Sequence, residues 1–234
     1  MISGLQKMTL LDFPGKVACT VFLKGCNLRC PFCHNSELFT GNPETLMETD
    51  AFLAFLKSRQ GLLDGVCVSG GEPTLQPGLP ALLKAIKDLG FAVKLDTNGS
   101  RPQVMKELVG QGLVDYVAMD VKSSPQGYAR AVGLPNVAME PYEESLRFLL
   151  SDVVDYELRT TLVAQLHDTS AIEQMGKWLA TLIPGKKPKR LFLQSFVDRD
   201  TVLFAGLSAP EPETVEQYAQ ILQSYAEKVT IRNK

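Results

Sequence analysis

The chain has 234 residues, 45% hydrophobic and 21% charged, which suits a single soluble domain with a sizeable core. A formal net charge of -2 gives no reason to expect nucleic-acid binding or strong membrane attraction. No apolar run approaches a membrane span, Met1 to Leu11 lacks the parts of a signal peptide, and an odd five cysteines is no disulfide framework, so a reducing cytoplasm is expected.

Met1 to Gly15 reads as a lead-in ending at Phe13-Pro14-Gly15. Val17 to Lys24 is apolar on both faces, as a buried parallel strand is. A helix is expected over Glu44 to Arg59, from Phe52, Leu53, Phe55 and Leu56. Asp64 to Ser69 is the second strand and runs into Gly70-Gly71-Glu72-Pro73. Leu79 to Leu89 is a helix stopped by Gly90. Phe91 to Leu95 is the third strand, Gln103 to Gln111 a helix, and Val114 to Val121 the fourth strand. Ser123 to Met139 reads as irregular. Beyond it come a helix at Pro141 to Leu150, a strand at Tyr156 to Val163, a helix at Ile172 to Leu182 and a strand at Arg190 to Phe196. A closing helix, Glu213 to Tyr225, and a short strand, Lys228 to Arg232, finish the chain.

This alternation argues for right-handed βαβ units and a parallel sheet. Six repeats are too few for a complete eight-stranded barrel. The expected fold is α/β, a partial (β/α)6 TIM-type barrel. It forms one domain over 1–234, with 1–15 as lead-in and 197–234 as the closing helix and strand.

Between the first strand and first helix lies Cys26-Asn27-Leu28-Arg29-Cys30-Pro31-Phe32-Cys33. Thiolates are soft ligands for iron–sulfur clusters and zinc. A closed [4Fe–4S] site takes four cysteines. Three leave one iron open, and an open position is where a metal site does chemistry. The bland alternative is a zinc knuckle completed by His34, which is badly placed beside Cys33 to close the same tetrahedron. Cys19 and Cys67 fall inside strands and read as small buried hydrophobes.

Polar clusters also follow the next three strands. Gly70-Gly71 permits close backbone approach, and Glu72 is an acceptor for an ammonium group. Asp96 and Asn98, in Asp96-Thr97-Asn98-Gly99, can hydrogen-bond sugar hydroxyls. Asp120 and Lys122 end the fourth strand. Each alone reads as a turn or a surface ion pair. Together they occupy the strand-end rim where parallel α/β folds place a ligand.

In this order, the motifs resemble radical S-adenosylmethionine (SAM) enzymes, and more narrowly glycyl-radical-enzyme activases. Gly4-Leu5-Gln6-Lys7, Leu11-Asp12-Phe13-Pro14-Gly15-Lys16 and Cys30-Pro31-Phe32-Cys33-His34-Asn35 are most similar to anaerobic ribonucleoside-triphosphate reductase activating proteins. Gly70 to Thr74, Asp96 to Gly99 and Asp120 to Lys122 are similar to loops of the pyruvate formate-lyase activating enzyme. The resemblance implies a [4Fe–4S] cluster on Cys26, Cys30 and Cys33, with SAM on its open iron. Phe32 would lie against adenine, and Asn35 would sit with it in the cofactor site. Gly70, Gly71 and Glu72 would hold the SAM amino group, and Asp96, with Thr97 and Asn98, would face the ribose side. Lys122 and Arg159 would neutralise the methionyl carboxylate, and Asp96, Thr97 and Asp120 would line a monovalent cation (Na+ or K+) site.

The implied reaction is reductive cleavage of SAM, fed by a one-electron donor such as flavodoxin or ferredoxin. The radical formed would abstract hydrogen from a glycine of a partner glycyl radical enzyme. The alternative is a small-molecule radical SAM enzyme of the 7-carboxy-7-deazaguanine synthase type, with Gln165, His167 and Gln194 as pocket residues.

Overall fold

A computed structural model describes residues 2–40 and 46–232. One eight-stranded sheet runs in chain order: β1 (Ile2–Thr9), β2 (Ala18–Leu23), β3 (Gly65–Gly70), β4 (Ala92–Thr97), β5 (Tyr116–Asp120), β6 (Asp155–Leu162), β7 (Leu191–Ser195) and β8 (Val229–Arg232). β1 pairs antiparallel with β2, whereas β2–β3, β3–β4, β6–β7 and β7–β8 are parallel pairs. Parallel neighbours need crossovers, and helices supply them. They are α1 (Thr49–Lys57), α2 (Leu79–Asp88), α3 (Pro102–Gly110), α4 (Pro125–Ala131), α5 (Glu140–Leu150), α6 (Thr169–Leu182) and α7 (Pro212–Gln223). The steps from β2 to β8 are the six βα repeats expected. No helix among the described residues is long and apolar enough to cross a membrane.

Two expectations are corrected. The lead-in contains a strand, β1, which has no apolar alternation to betray it. Gln6, Lys7 and Met8 are exposed, and only Ile2 and Thr9 are buried. Such a polar strand with a lysine suits a sheet edge that must not recruit another chain. The segment read as irregular contains α4, whose seven residues bury only Tyr128 and Ala131. Glu44, where the first helix was expected to begin, lies outside the described residues, and α1 starts at Thr49.

The chain divides into two compact units. The first comprises Met1–Asn27, Glu37–Ala118 and Val153–Asp155. Its β2 and β3 are buried almost throughout, as strands covered on both faces are. Within Leu11 to Lys16, Phe13 alone is buried and anchors the segment here. Phe13 is 2% exposed and lies against Ala18 and Tyr116, the ring centroids of Phe13 and Tyr116 being 6.0 Å apart. Gly65 makes room for that ring, since a Cβ there would come within 3.0 Å of it. Asp12 holds the turn by accepting from Thr20 Oγ1 at 2.6 Å.

The second unit comprises Leu28–Ser36, Met119–Asp152 and Tyr156–Lys234. Tyr128 of α4 lies 4.7 Å from Tyr142 of α5 and 6.3 Å from Trp178 of α6, ring centroid to ring centroid. Trp178 Nε1 donates to Glu143 at 3.1 Å, so a mostly buried indole is also satisfied. Asp168 caps α6 by accepting from Ala171 N at 2.7 Å, which starts the helix at Thr169.

Phe13→Ala would empty that anchor position. The expected loss is about 3 kcal/mol of unfolding free energy, the lower end for a buried phenylalanine truncation. Chemical denaturation of the two proteins measures it.

Candidate active site

In the first unit the ends of β2, β3 and β4 are drawn together by backbone contact and one carboxylate. Gly71 N donates to Leu23 O at 2.9 Å, and Glu72 N to Gly25 O at 2.8 Å. Gly70 has φ +126°, and a Cβ on it would strike the Leu23 backbone. A Cβ on Gly71 would strike the Gly25 carbonyl. The paired glycines therefore let the β3 loop lie directly on the start of the cysteine loop.

Glu72 is fully buried. Its Oε1 accepts from Thr74 N at 3.1 Å, Thr74 Oγ1 at 2.5 Å and Thr97 Oγ1 at 2.8 Å. Its Oε2 accepts from Asn98 N at 2.6 Å. Burial pushes the Glu72 carboxyl above its ordinary pKa, against the opposing pull of those donors. Asn98 Nδ2 donates to Asn27 Oδ1 at 2.9 Å, and Asn27 Nδ2 to Ser100 Oγ at 2.9 Å. The residue after Cys26 is thus tied to the Asp-Thr-Asn-Gly turn, and that turn to Glu72. Asp96 pairs with Lys94 through Oδ1 and accepts from Ser69 Oγ at 3.2 Å through Oδ2.

The second unit holds Cys30, Phe32, Cys33, Asn35, Asp120, Lys122 and Arg159. Cys33 N donates to Cys30 O at 3.1 Å, closing a turn that buries Phe32. Lys122 Nζ lies 5.8 Å from the Phe32 ring centroid and bonds Asp120 Oδ2 at 2.8 Å. Arg159 Nε bonds Asp120 Oδ1 at 2.9 Å. Desolvation works against the Lys122 ammonium, but Asp120, Cys30 and Cys33 more than offset it and raise its pKa. Burial pushes the Cys33 thiol up, opposed by the Asn35 backbone and Lys122. His34 turns away from Cys33: its Nε2 lies 2.7 Å from Val197 O, and its ring stacks on Phe196 at 5.6 Å. Asn35 is half-buried.

None of the five cysteines is in a disulfide. Among the described residues, no three His, Cys, Asp or Glu side chains converge on a point that could hold a metal ion. A cubane takes one thiolate per iron. The thiol donor set of Cys26, Cys30 and Cys33 fits the cluster. Of the residues expected to line a monovalent cation site, Asp96 and Thr97 lie in the first unit and Asp120 in the second, and protein donors contact each of them.

A family model for the radical SAM superfamily matches residues 20–162. The chain belongs to the radical SAM superfamily. Among its relatives is MJ1227 of Methanocaldococcus jannaschii, provisionally named a glycyl-radical enzyme activating enzyme. The two are 31% identical over 240 residues, 99% of this chain and 95% of the relative. The 7-carboxy-7-deazaguanine synthase of Koribacter versatilis is 33% identical over 147 residues, 62% of this chain and 61% of that protein. The structure of TYW1 with a lysine-pyruvate adduct shares the fold at 17% identity and TM-score 0.66, covering 93% of this chain and 76% of that one. A [4Fe–4S] cluster and SAM come with radical SAM membership.

One ordering residue of this radical SAM protein, Lys94, was not singled out beforehand. Lys94 and Asp96 are two apart on β4, so they share a face; period-two reading of the strand could have paired them. His167 was considered for a pocket. It is buried, and its Nδ1 accepts from Val163 N at 3.0 Å while Nε2–H donates to Lys122 O at 2.9 Å. Gln165 is likewise bonded to Ser208, through both ends of its amide, at 3.0 Å.

Burial lowers the His167 pKa below its ordinary 6.5. A protonated Nδ1 would face the Val163 N–H, so the folded state prefers the neutral ring. The stability this ring contributes is complete above pH 6.5 and is lost as pH falls through the lowered folded value. His167→Phe is expected to cost about 2 kcal/mol by stranding two buried backbone groups. It should also flatten the acid limb of the stability profile, which denaturation at a series of pH values reads out.

Proposed function

We propose that this radical SAM enzyme is a glycyl-radical-enzyme activase, working on an anaerobic ribonucleotide reductase-like partner, with the whole chain, 1–234, as one catalytic domain in the cytoplasm. The observation that carries the reading is the near end-to-end similarity to MJ1227. The motifs Leu11 to Lys16 and Cys30 to Asn35 support the choice of partner class. Cys26, Cys30 and Cys33 would hold the cluster. Bound there, the cluster would supply, with one electron from a flavodoxin- or ferredoxin-like donor, the reductive cleavage of SAM that leads to hydrogen abstraction from the partner's glycine.

The protein's own residues bind and orient. Phe32 offers an apolar face to adenine, with Asn35 beside it. Lys122 and Arg159, both charged and both anchored by Asp120, meet the methionyl carboxylate. The Gly70-Gly71 backbone meets the ammonium, while Glu72, buried with both oxygens accepting from Thr74, Thr97 and Asn98, fixes the two loops in place rather than reaching the ligand. Asp96 faces the ribose. Close positioning matters because a loose radical attacks the nearest hydrogen.

A second reading, a deazaguanine synthase-type enzyme, is supported by the 33% identity over 62% of the chain. Against it, Gln165 and His167 are committed to their own backbone and neighbours rather than offered to a ring.

Anaerobic reconstitution is expected to give about four irons and four sulfides per chain. Electron paramagnetic resonance with SAM, reductant and candidate partner should then show a glycyl doublet on the partner polypeptide. Conversion of a small molecule with no such signal would favour the second reading. Cys30→Ala should abolish SAM cleavage, measured as 5′-deoxyadenosine released; full cleavage by that variant contradicts the cluster assignment. Asp96→Asn should keep its iron while weakening SAM binding by about tenfold, roughly the 1.4 kcal/mol of one charged contact. Unchanged affinity in a SAM titration removes Asp96 from the site.

A further inference from the structure

The residues expected to hold a monovalent cation are already in use. Asp96 carries the Lys94 ammonium on Oδ1 and the Ser69 hydroxyl on Oδ2. Thr97 Oγ1 gives its proton to Glu72 at 2.8 Å and accepts from Gly99 N at 3.1 Å. In its own unit, Asp120 carries Lys122 at 2.8 Å and Arg159 at 2.9 Å. Both carboxylates therefore have a full positive charge in contact before any ion arrives.

Lys94 is the decisive residue. Its side chain is 1% exposed, so solvent does not screen its charge. It stands directly across from Cys67 in the β3–β4 register, and its Nζ lies 3.8 Å from Cys67 Sγ. A buried lysine is costly unless paired, and an apolar residue would fill a strand interior at lower cost. What an apolar residue lacks is a cation held against Asp96. A metal ion approaching Asp96 would meet that ammonium at short range in a dry setting, where like charges repel strongly.

We propose that Lys94 is the built-in cation of this site. It acts as a positioning residue, holding the Asp96 carboxylate fixed in direction between itself and Ser69, and it makes the protein indifferent to Na+ and K+. The inference refines the reading of Asp96 as a SAM contact. It also stands on a pairing that exists without SAM.

Two measurements test it. First, the thermal midpoint of the wild-type protein is followed while choline chloride is replaced by KCl or NaCl at constant ionic strength. A midpoint that does not move supports the proposal. A rise that grows with K+ or Na+ concentration reports an ion bound to the folded state and overturns it. SAM affinity of the reconstituted wild type should likewise be equal in choline and K+, and a gain of about tenfold in K+ also overturns it.

Second, Lys94→Met, Asp96→Asn and the double variant Lys94→Met/Asp96→Asn form a stability cycle with the wild type. Lys94→Met keeps the volume but strands a carboxylate, so its denaturation midpoint should fall, and the double variant should recover most of the loss. A single variant as stable as wild type, or a double variant as unstable as the single, shows that the charge pair does nothing and ends the proposal. If the wild type releases no 5′-deoxyadenosine in any salt, the SAM reading fails, while the salt series and the cycle still decide the role of Lys94.

Discussion

One buried carboxylate organises the first unit. Glu72 has no contact with water and accepts hydrogen bonds from Thr74, Thr97 and Asn98. An uncompensated carboxylate in that position would be ruinous, so the donors have to be there, and they come from two different strand ends. Satisfying one side chain thus fixes the β3 loop and the β4 loop together. Asn98 extends the arrangement to Asn27, beside the first cysteine. Polar satisfaction, rather than shape alone, gives these loops one arrangement.

The second unit uses charge to the same end. Asp120 bonds both Lys122 and Arg159, so the two cations are anchored on one carboxylate. His167 fastens the Lys122 carbonyl from behind. The three groups form a positively charged patch whose direction is set by neighbours, which is what recognition of an anionic ligand requires.

Much of this was legible in the chain. The six βα repeats follow from apolar runs separated by amphipathic helices, and most candidate site residues stand at or just past strand ends, with Arg159 inside β6 the exception. β1 was hidden because an edge strand that repels partners has no alternation to detect. α4 was hidden because seven residues with two buried positions carry too little period. The role of Glu72 was hidden for another reason: its acceptor duty joins residues 25 and 26 positions further along, and no local pattern encodes that. Lys94 was the reverse case. Its partner is two residues away on the same face, but a lysine inside an apolar strand reads as a solvent-facing interruption until burial is known.

The glycine pair at the end of β3 carries a consequence for how such a protein diversifies. Because Leu23 and Gly25 occupy the space any side chain there would need, point mutation at positions 70 and 71 offers no small, tolerated steps. Drift toward a different client or chemistry has to proceed through residues flanking that junction, with the junction itself inherited unaltered or lost together with the fold around it.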